Sequence, residues 1–442
     1  MTTRKIIREI AEWMDDRPLE KKLLPKKYEL RSLAKQHRWL NSGDAHISFR
    51  NIVERHKGGL DSKEISLLFY NTWLLDGVAG FGGKPFRSLR ADLIGKEIRN
   101  SGYDIAALCE VFEEKYQKII KKQRFSYDAM GPVWTVGNIS SGLYTLSKFP
   151  LTYKRHRFIE KGPDLISGVI IDSVLSSVSV ISKNTGDKKS NPDYHSNKGV
   201  LLTTIDLGIG KIDLYATHLF WGSGEFNPIE KTKIQLEQLK ELTEFIKETH
   251  NPKHVVIVAG DMNINPGRSK ENDRAYEKMT ELFSSITLKN GSKISLEDLW
   301  KIKGGKKGGT NMPTKGCESE DRVKNPVTGI CYCNDDTDDV KDLDEGRYDC
   351  IFVQKPSESH DIVIDFSRMK RRPFPLPELK FEDIKNLLAH PILIQDPKFI
   401  LTIRNMNSTQ LTEYVSNKIK AACKGHLSDH IGVDVKMLIN KN

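Results

Sequence analysis

Cysteine is scarce in this chain: six residues among 442, too few and too scattered for the disulfide framework of a small secreted scaffold. The C-x2-C pairs of common zinc sites are missing too. The nearest approach is Cys331-Tyr-Cys333, with Cys317 before it and Cys350 after it; free thiols are the first expectation and an oxidised loop the second. No apolar run approaches the ~18 residues that a membrane-spanning helix needs; the longest, around residues 254–259, is strand-sized. No transmembrane segment is therefore expected. Near the N-terminus, Glu9, Glu12, Asp15 and Asp16 interrupt what would be the apolar region of a secretory leader, so the expected location is cytoplasmic or peripheral to a membrane. No internal repeat is found, and no protein partner is inferred.

What the chain does have is length and positive charge. At roughly 100–200 residues per domain, 442 residues fit one large domain with extensions, or two to three smaller ones, and can bury a substantial core. Lys and Arg number 69 against 59 Asp and Glu, a net +10, with local basic clusters at 115–124, 301–307 and 370–372. Such a balance permits an anionic partner without naming one. Any single cluster is adequately explained as solvated surface.

Residues 1–60 are highly charged, with Ile6, Ile7, Ile10 and Trp13 at helical spacing, which predicts a helical N-terminal extension. The remainder, 61–442, is expected to form one domain. Within it, 65–75 and 103–111 are expected strands, and 88–100 and 113–122 expected helices. From 140 to about 219 the pattern is mostly strand, with a polar loop at 183–198. A long amphipathic helix at 229–249 precedes a short apolar strand at 254–262. The Gly-, Lys- and Asp-rich stretch 301–345 is expected to be an irregular loop. Final strands at 348–354 and 431–437 are separated by an expected insertion of mixed, partly helical character near 357–424. Strands on both sides of helices, with hairpin-like pairs in the middle, favour an α/β sandwich over a doubly wound parallel sheet.

Polar residues stand where these apolar strands end: Asn71, Glu110, His218, Asp261, Asn263, Asp349, Asp429 and His430. Strand ends are rigid mounts that let distant parts of a chain converge on one cleft. Carboxylate and amide oxygens are hard ligands, favouring Mg2+, Mn2+ or Ca2+ over zinc, and Mg2+ usually binds through one or two carboxylates plus substrate phosphate. Glu110 is the best candidate for such a carboxylate. A histidine whose tautomer a carboxylate fixes can take a proton from water, and His430 with Asp349 suits that role. His218 suits a donor to a phosphoryl oxygen whose charge grows in the transition state. Taken singly, each is as well explained by a solvated strand terminus, a turn or a cap; their ordered co-occurrence is what points to chemistry.

The motifs NTW at 71–73, CE at 109–110, SGLYTLSKFPL at 141–151, THL at 217–219, GDMN at 260–263, YD at 348–349 and SDH at 428–430 follow one order. In that order the chain resembles the endonuclease/exonuclease/phosphatase superfamily, over roughly 63–437. It is most similar to the neutral sphingomyelinase-like branch, through the segment 81–112, the SGL-x-x-LSKFP run and NKGVLL at 197–202. The resemblance implies a DNase I-like four-layer α/β sandwich of two packed mixed β-sheets and a Mg2+-dependent phosphodiesterase. By the same resemblance Asn71, Glu110 and Asp429 are metal-site residues and His218 stabilises the transition state. Asp261 and Asn263 orient water and phosphate, Asp349 orients the general base His430, and Lys198 and Gly199 lie against the substrate. The implied substrate is a phospholipid head-group phosphodiester at a membrane surface, with sphingomyelin foremost. A DNase I-like nuclease acting on nucleic acid, an inositol-phosphate phosphatase and a catalytically inactive binding module are the alternatives. The family's membrane-docking hairpin has no clear counterpart; Phe220, Trp221 and Phe226 are candidates for exposed aromatics or for core. Sphingomyelinases of this type are secreted or membrane-bound, which conflicts with the location expected from the N-terminus.

Overall fold

The computed structural model describes residues 62–74, 86–122, 125–132, 140–158, 198–221, 228–264, 274–303, 322–324, 331–333, 347–388, 402–403, 405–423, 426–428 and 430–442. The expected extension at 1–60, the strand-like run at 167–182, Phe226 and Asp429 lie outside the described residues. Along the chain the strands are β1 (Ser62–Asn71), β2 (Ile105–Cys109), β3 (Tyr127–Met130), β4 (Tyr144–Ser147), β5 (Leu151–Arg157), β6 (Gly199–Asp206), β7 (Lys211–His218) and β8 (Val255–Asp261). There follow β9 (Ile286–Thr287), β10 (Lys293–Ile294), β11 (Leu296–Asp298), β12 (Arg322–Lys324), β13 (Cys331–Cys333), β14 (Asp349–Gln354), β15 (Ile362–Arg372) and β16 (Gly432–Lys441). The helices are α1 (Arg87–Asn100), α2 (Glu114–Lys121), α3 (Pro228–Thr249), α4 (Ala275–Ser284), α5 (Leu299–Ile302), α6 (Phe381–Leu388) and α7 (Ser408–Cys423).

Two six-stranded sheets carry the architecture, in the orders β15-β16-β1-β2-β4-β3 and β11-β14-β8-β7-β6-β5. Both are mixed: β1 and β2 run parallel, as do β7 and β8, while their other recorded pairings are antiparallel. Side-chain alternation along β1 shows how four layers arise. Ile65, Leu67 and Phe69 point between the sheets, where they meet Leu201, Leu214, Ile257 and Ile351 of the second sheet and Val433 and Val435 of β16. Leu68 and Tyr70 point the other way, onto Leu93 and Ile94 of α1 and Val415 of α7. The outer face of the second sheet, through Leu202, Tyr215, Val258 and Phe352, is covered by Leu239 and Leu242 of α3 and Met279 and Phe283 of α4. Strands buried on both faces need no polar alternation, which is why 65–70 and 255–259 are near-continuous apolar runs.

Two expectations change. β15 was not read as a strand, because its apolar alternation, Ile362, Ile364 and Phe366, stops halfway and the basic run 368–372 follows; it is an edge strand paired antiparallel with β16, and charge suits an edge, where it discourages pairing with another chain. The stretch 301–345, expected to be irregular, contains the small β12–β13 hairpin. Of the cysteines, Cys109 and Cys350 are buried free thiols, and burial pushes both up, Cys350 to about 12. The other cysteine side chains lie outside the described residues.

His426, just ahead of the SDH motif, is 1% exposed and pairs through an isolated bridge with Pro375. Burial holds its imidazole down to about 4, below the ~6.5 of the unfolded chain. As pH falls, the unfolded state therefore takes up this proton first. The associated stability is intact above ~6.5 and is lost between there and about 4, a difference of about 3 kcal/mol. Urea midpoints measured from pH 7.5 down to 4.5 should fall more steeply for the wild type than for His426→Asn; parallel slopes would contradict this.

Candidate active site

In each parallel pair, β1–β2 and β7–β8, both C-terminal ends reach the same sheet edge, and the register then sets the polar groups in rows. In the second sheet His218 lies opposite Asp261, and Asp261 opposite Asp349, so β7, β8 and β14 present three candidate side chains side by side. In the first sheet Asn71 lies opposite Cys109, with Glu110 the next residue. The rows meet across the inter-sheet seam: Asn71 Nδ2 donates to Glu110 Oε1 at 3.0 Å and to Asp261 Oδ2 at 2.9 Å, and lies 3.4 Å from His430 Nε2.

Glycine and left-handed backbone shape this edge. Glu110, Trp73 and Asn263 have φ of 59°, 50° and 50°, a conformation that costs a side-chain-bearing residue about 1 kcal/mol or more and that clusters at functional sites. Gly142, at φ +77°, lies against Glu110: a Cβ there would come within 3.1 Å of the Glu110 N and Cα and 3.0 Å of the Phe112 ring. At Gly260 a Cβ would come within 2.7 Å of the Thr217 carbonyl oxygen, so the glycine of GDMN lets β8 approach β7 beside His218.

His430 and Asp349 form the tightest catalytic-type pair. His430 Nδ1 is 2.8 Å from Asp349 Oδ2, which fixes the proton on Nδ1 and leaves Nε2 as the acceptor, 3.8 Å from Asp261 Oδ2. Ser428 Oγ donates to Asn71 O at 2.8 Å and accepts from His430 N at 3.2 Å, tying the His430 turn to β1. Full burial pushes the Asp261 carboxyl up. The imidazoles of His218 and His430, the Asn71 amide and the Asn263 N–H outweigh it and hold the carboxyl below the usual carboxylate range.

Around His218, Nε2 lies 3.1 Å from Lys198 Nζ, 3.7 Å from Asp261 Oδ2 and 4.0 Å from Glu110 Oε1. Lys198 Nζ also donates to Leu219 O at 2.6 Å, as does Asn263 Nδ2 at 2.9 Å. The expected residues Asn71, Glu110, Lys198, His218, Asp261, Asn263, Asp349 and His430 thus share one cluster. Gly199 stands differently: it is paired opposite Arg157 in β6, and a Cβ there would lie 2.1 Å from His156 O, so strand packing accounts for the glycine. Phe220 is buried, and Trp221 is 52% exposed.

The donor set suits a hard divalent cation. Glu110 Oε1 and Asp261 Oδ2 both accept from one amide nitrogen, and oxygen donors of this kind fit Mg2+. Asn71, expected at the metal, turns its Oδ1 to the Trp73 N–H at 3.0 Å; its amide here gathers the two carboxylates. Asp261, Asp349 and His430 form a second set, with one donor atom from each lying within 4.8 Å of the others. That set includes a nitrogen, which suits zinc better than magnesium.

The sequence reading missed the residues that hold these loops. Gln235 Nε2 of α3 donates to Phe220 O at 2.8 Å and Asn263 O at 3.0 Å, and Gln238 Oε1 accepts from Phe220 N at 2.8 Å. The available signal was two glutamines on the stripe shared with Ile234, Leu239 and Leu242. Arg90 is the other, at the helical spacing of Ile94 and Ile98.

A family model matches the part of the chain that holds the first five motifs. Residues 68–274 match the model of the Endonuclease/Exonuclease/phosphatase family; Asn71, Glu110, His218, Asp261 and Asn263 fall inside that span, Asp349 and His430 beyond it. Among curated relatives, a phospholipase C of Staphylococcus aureus is 24% identical over 230 residues, covering 48% of this chain and 61% of that protein. A sphingomyelinase C of Bacillus cereus is 27% identical over 215 residues, covering 44% of this chain and 56% of that protein. The chain therefore spans little more than half the length of these relatives. The solved sphingomyelinase C of Streptomyces griseocarneus is similar at 13% identity and a TM-score of 0.46, covering 85% of this chain and 99% of that one.

Proposed function

We propose that the chain is a metal-dependent phosphodiesterase that hydrolyses the head-group phosphodiester of a phospholipid, sphingomyelin being the first candidate. The observation that carries this reading is the His430–Asp349 pair facing, across one cluster, the Asn71-bridged carboxylates of Glu110 and Asp261. The relatives' names, phospholipase C and sphingomyelinase C, support the choice of lipid. Among the described residues no helix is long and apolar enough to cross a membrane, so lipid would be met at a bilayer surface.

In this reading His430 Nε2 takes a proton from the attacking water, and Asp349 keeps the ring oriented and stabilises the imidazolium. The water oxygen attacks phosphorus in line; the bond to the lipid oxygen breaks, that oxygen takes a proton from solvent as the alcohol leaves, and His430 returns its proton to solvent. Lys198 supplies a donor for the phosphoryl oxygens as their charge rises, with His218 Nε2 3.1 Å from its Nζ and holding it in place, so positioning and electrostatics provide most of the catalysis. Mg2+ held by Glu110 and Asp261 would supply Lewis-acid polarisation of the phosphodiester.

The net charge of +10 favours a second reading, a nuclease, because phosphate-backbone binding relies on Lys and Arg and weakens steeply with salt. The test is phosphocholine release from sphingomyelin vesicles, run beside nicking of supercoiled DNA, with magnesium and with EDTA. Metal-dependent phosphocholine release is expected. Nicking alone, falling with salt, would replace the lipid reading by the nuclease one, and silence on both substrates would sink both.

A further inference from the structure

Arg90 of α1 is the largest of the fully buried side chains, at 0% exposure. Among the described residues its guanidinium meets only main-chain oxygens and one ring. Nε donates to Leu427 O at 2.8 Å, Nη2 to Thr72 O at 2.8 Å and Trp73 O at 3.0 Å, and Nη1 to Trp73 O at 3.0 Å. The Trp73 ring lies 5.7 Å away. A charge buried without a counter-ion is costly, and here the compensation comes from carbonyl dipoles of two loops far apart in sequence. One loop, 72–73, leads out of Asn71 and includes the left-handed Trp73; the other, at 427, leads into Ser428 and His430. Only a rigid fork can hold both at once; a lysine at the same place offers one nitrogen on a flexible stem.

We infer that Arg90 is a positioning residue: its guanidinium clamps the loop after Asn71 to the loop before His430 and so keeps the His430 imidazole against Asp349. The kinetic part of this inference rests on the phosphodiesterase reading; the structural part does not. A purely stabilising arginine is the rival, and the test needs a readout that stability alone would not move.

The experiment uses the full chain with Arg90→Ala and Arg90→Lys, each checked for folding by circular dichroism. Two quantities are followed: kcat and KM on the phosphodiester that the wild type cleaves, and the low-field proton resonance of His430 Nδ1–H bonded to Asp349, identified by its disappearance in His430→Ala. For Arg90→Ala, kcat should fall about 100-fold, the scale of a displacement of about 1 Å at a reacting group. KM should change less than about threefold, since the substrate-facing groups remain, and the resonance should broaden or vanish. Millimolar guanidinium should restore both kcat and the resonance by refilling the space. Arg90→Lys should keep the fold and still lose about tenfold in kcat. A folded Arg90→Lys or Arg90→Ala with wild-type kcat and an unchanged resonance overturns the inference, as does a loss in Arg90→Ala that guanidinium restores in neither quantity. Should Arg90→Ala fail to fold, Arg90→Lys decides. If the wild type cleaves no phosphodiester, the functional reading fails while the resonance still settles the role of Arg90.

Discussion

His430→Ala should lower phosphodiester hydrolysis by about 10²–10⁴-fold, the usual contribution of a general base, while leaving the fold in place. Its Nε2 is the acceptor that the Asp349 contact at 2.8 Å leaves toward the cluster, whereas His218 Nε2 faces the Lys198 ammonium at 3.1 Å. Asp349→Asn sharpens the test. The amide is nearly isosteric, but its NH2 group can donate to Nδ1, which moves the ring proton to Nε2 and abolishes the acceptor. A similar loss is therefore expected from a change that removes no volume. Steady-state rates on both variants, with thermal melts to confirm folding, are the measurement. A well-folded His430→Ala within about threefold of the wild type would remove His430 from the base role.

If Mg2+ seats on Glu110 as proposed, added magnesium should stabilise the fold and Glu110→Gln should abolish that stabilisation. For a single site, cation at a hundredfold excess over its dissociation constant adds about 2.7 kcal/mol to the folded state, visible as a rise in the melting temperature that EDTA reverses. Glutamine preserves shape and can still face Asn71, but it lacks the charge that a hard cation requires. This prediction also separates the two donor sets. A cation seated on Asp261, Asp349 and His430 would keep its melting shift in Glu110→Gln and lose it in Asp349→Asn. The opposite pattern places the cation on Glu110 and frees His430 to act as the base. Activity should fall with the melting shift in either case.

Most of the scaffold was legible because its strands are short apolar runs ending in a polar residue, and the α3 stripe repeats at helical spacing. The polar residues of the candidate site were legible for the same reason: Asn71, Glu110 and Asp261 close runs of uncharged residues, and His218 closes the uncharged stretch 214–217. What stayed hidden depends on partners rather than on pattern. Arg90 looks like one more surface cation until the carbonyls of Thr72, Trp73 and Leu427 surround it. Gln235 and Gln238 pass for helix filler until the loops they hold are in place. β15 went unrecognised because an edge strand tolerates IVIDFSRMKRR, whereas an interior strand would not. The orientation of the Asn71 amide follows from the Trp73 N–H, which no spacing rule contains.

The Asn71–Asp261 hydrogen bond, 2.9 Å long, joins a residue of one sheet to a residue of the other, and this makes the cluster a vernier for how the sheets are seated. A slide of about an ångström would loosen the close-packed apolar seam but spread that cost over many contacts, whereas it would fall on a few hydrogen bonds that weaken steeply with misalignment. Chemistry should then fail before either sheet unravels, and far-ultraviolet dichroism would not register the fault. A divalent cation shared by Glu110 and Asp261 would oppose that slide, serving as a rivet between two plates as well as a centre of reactivity.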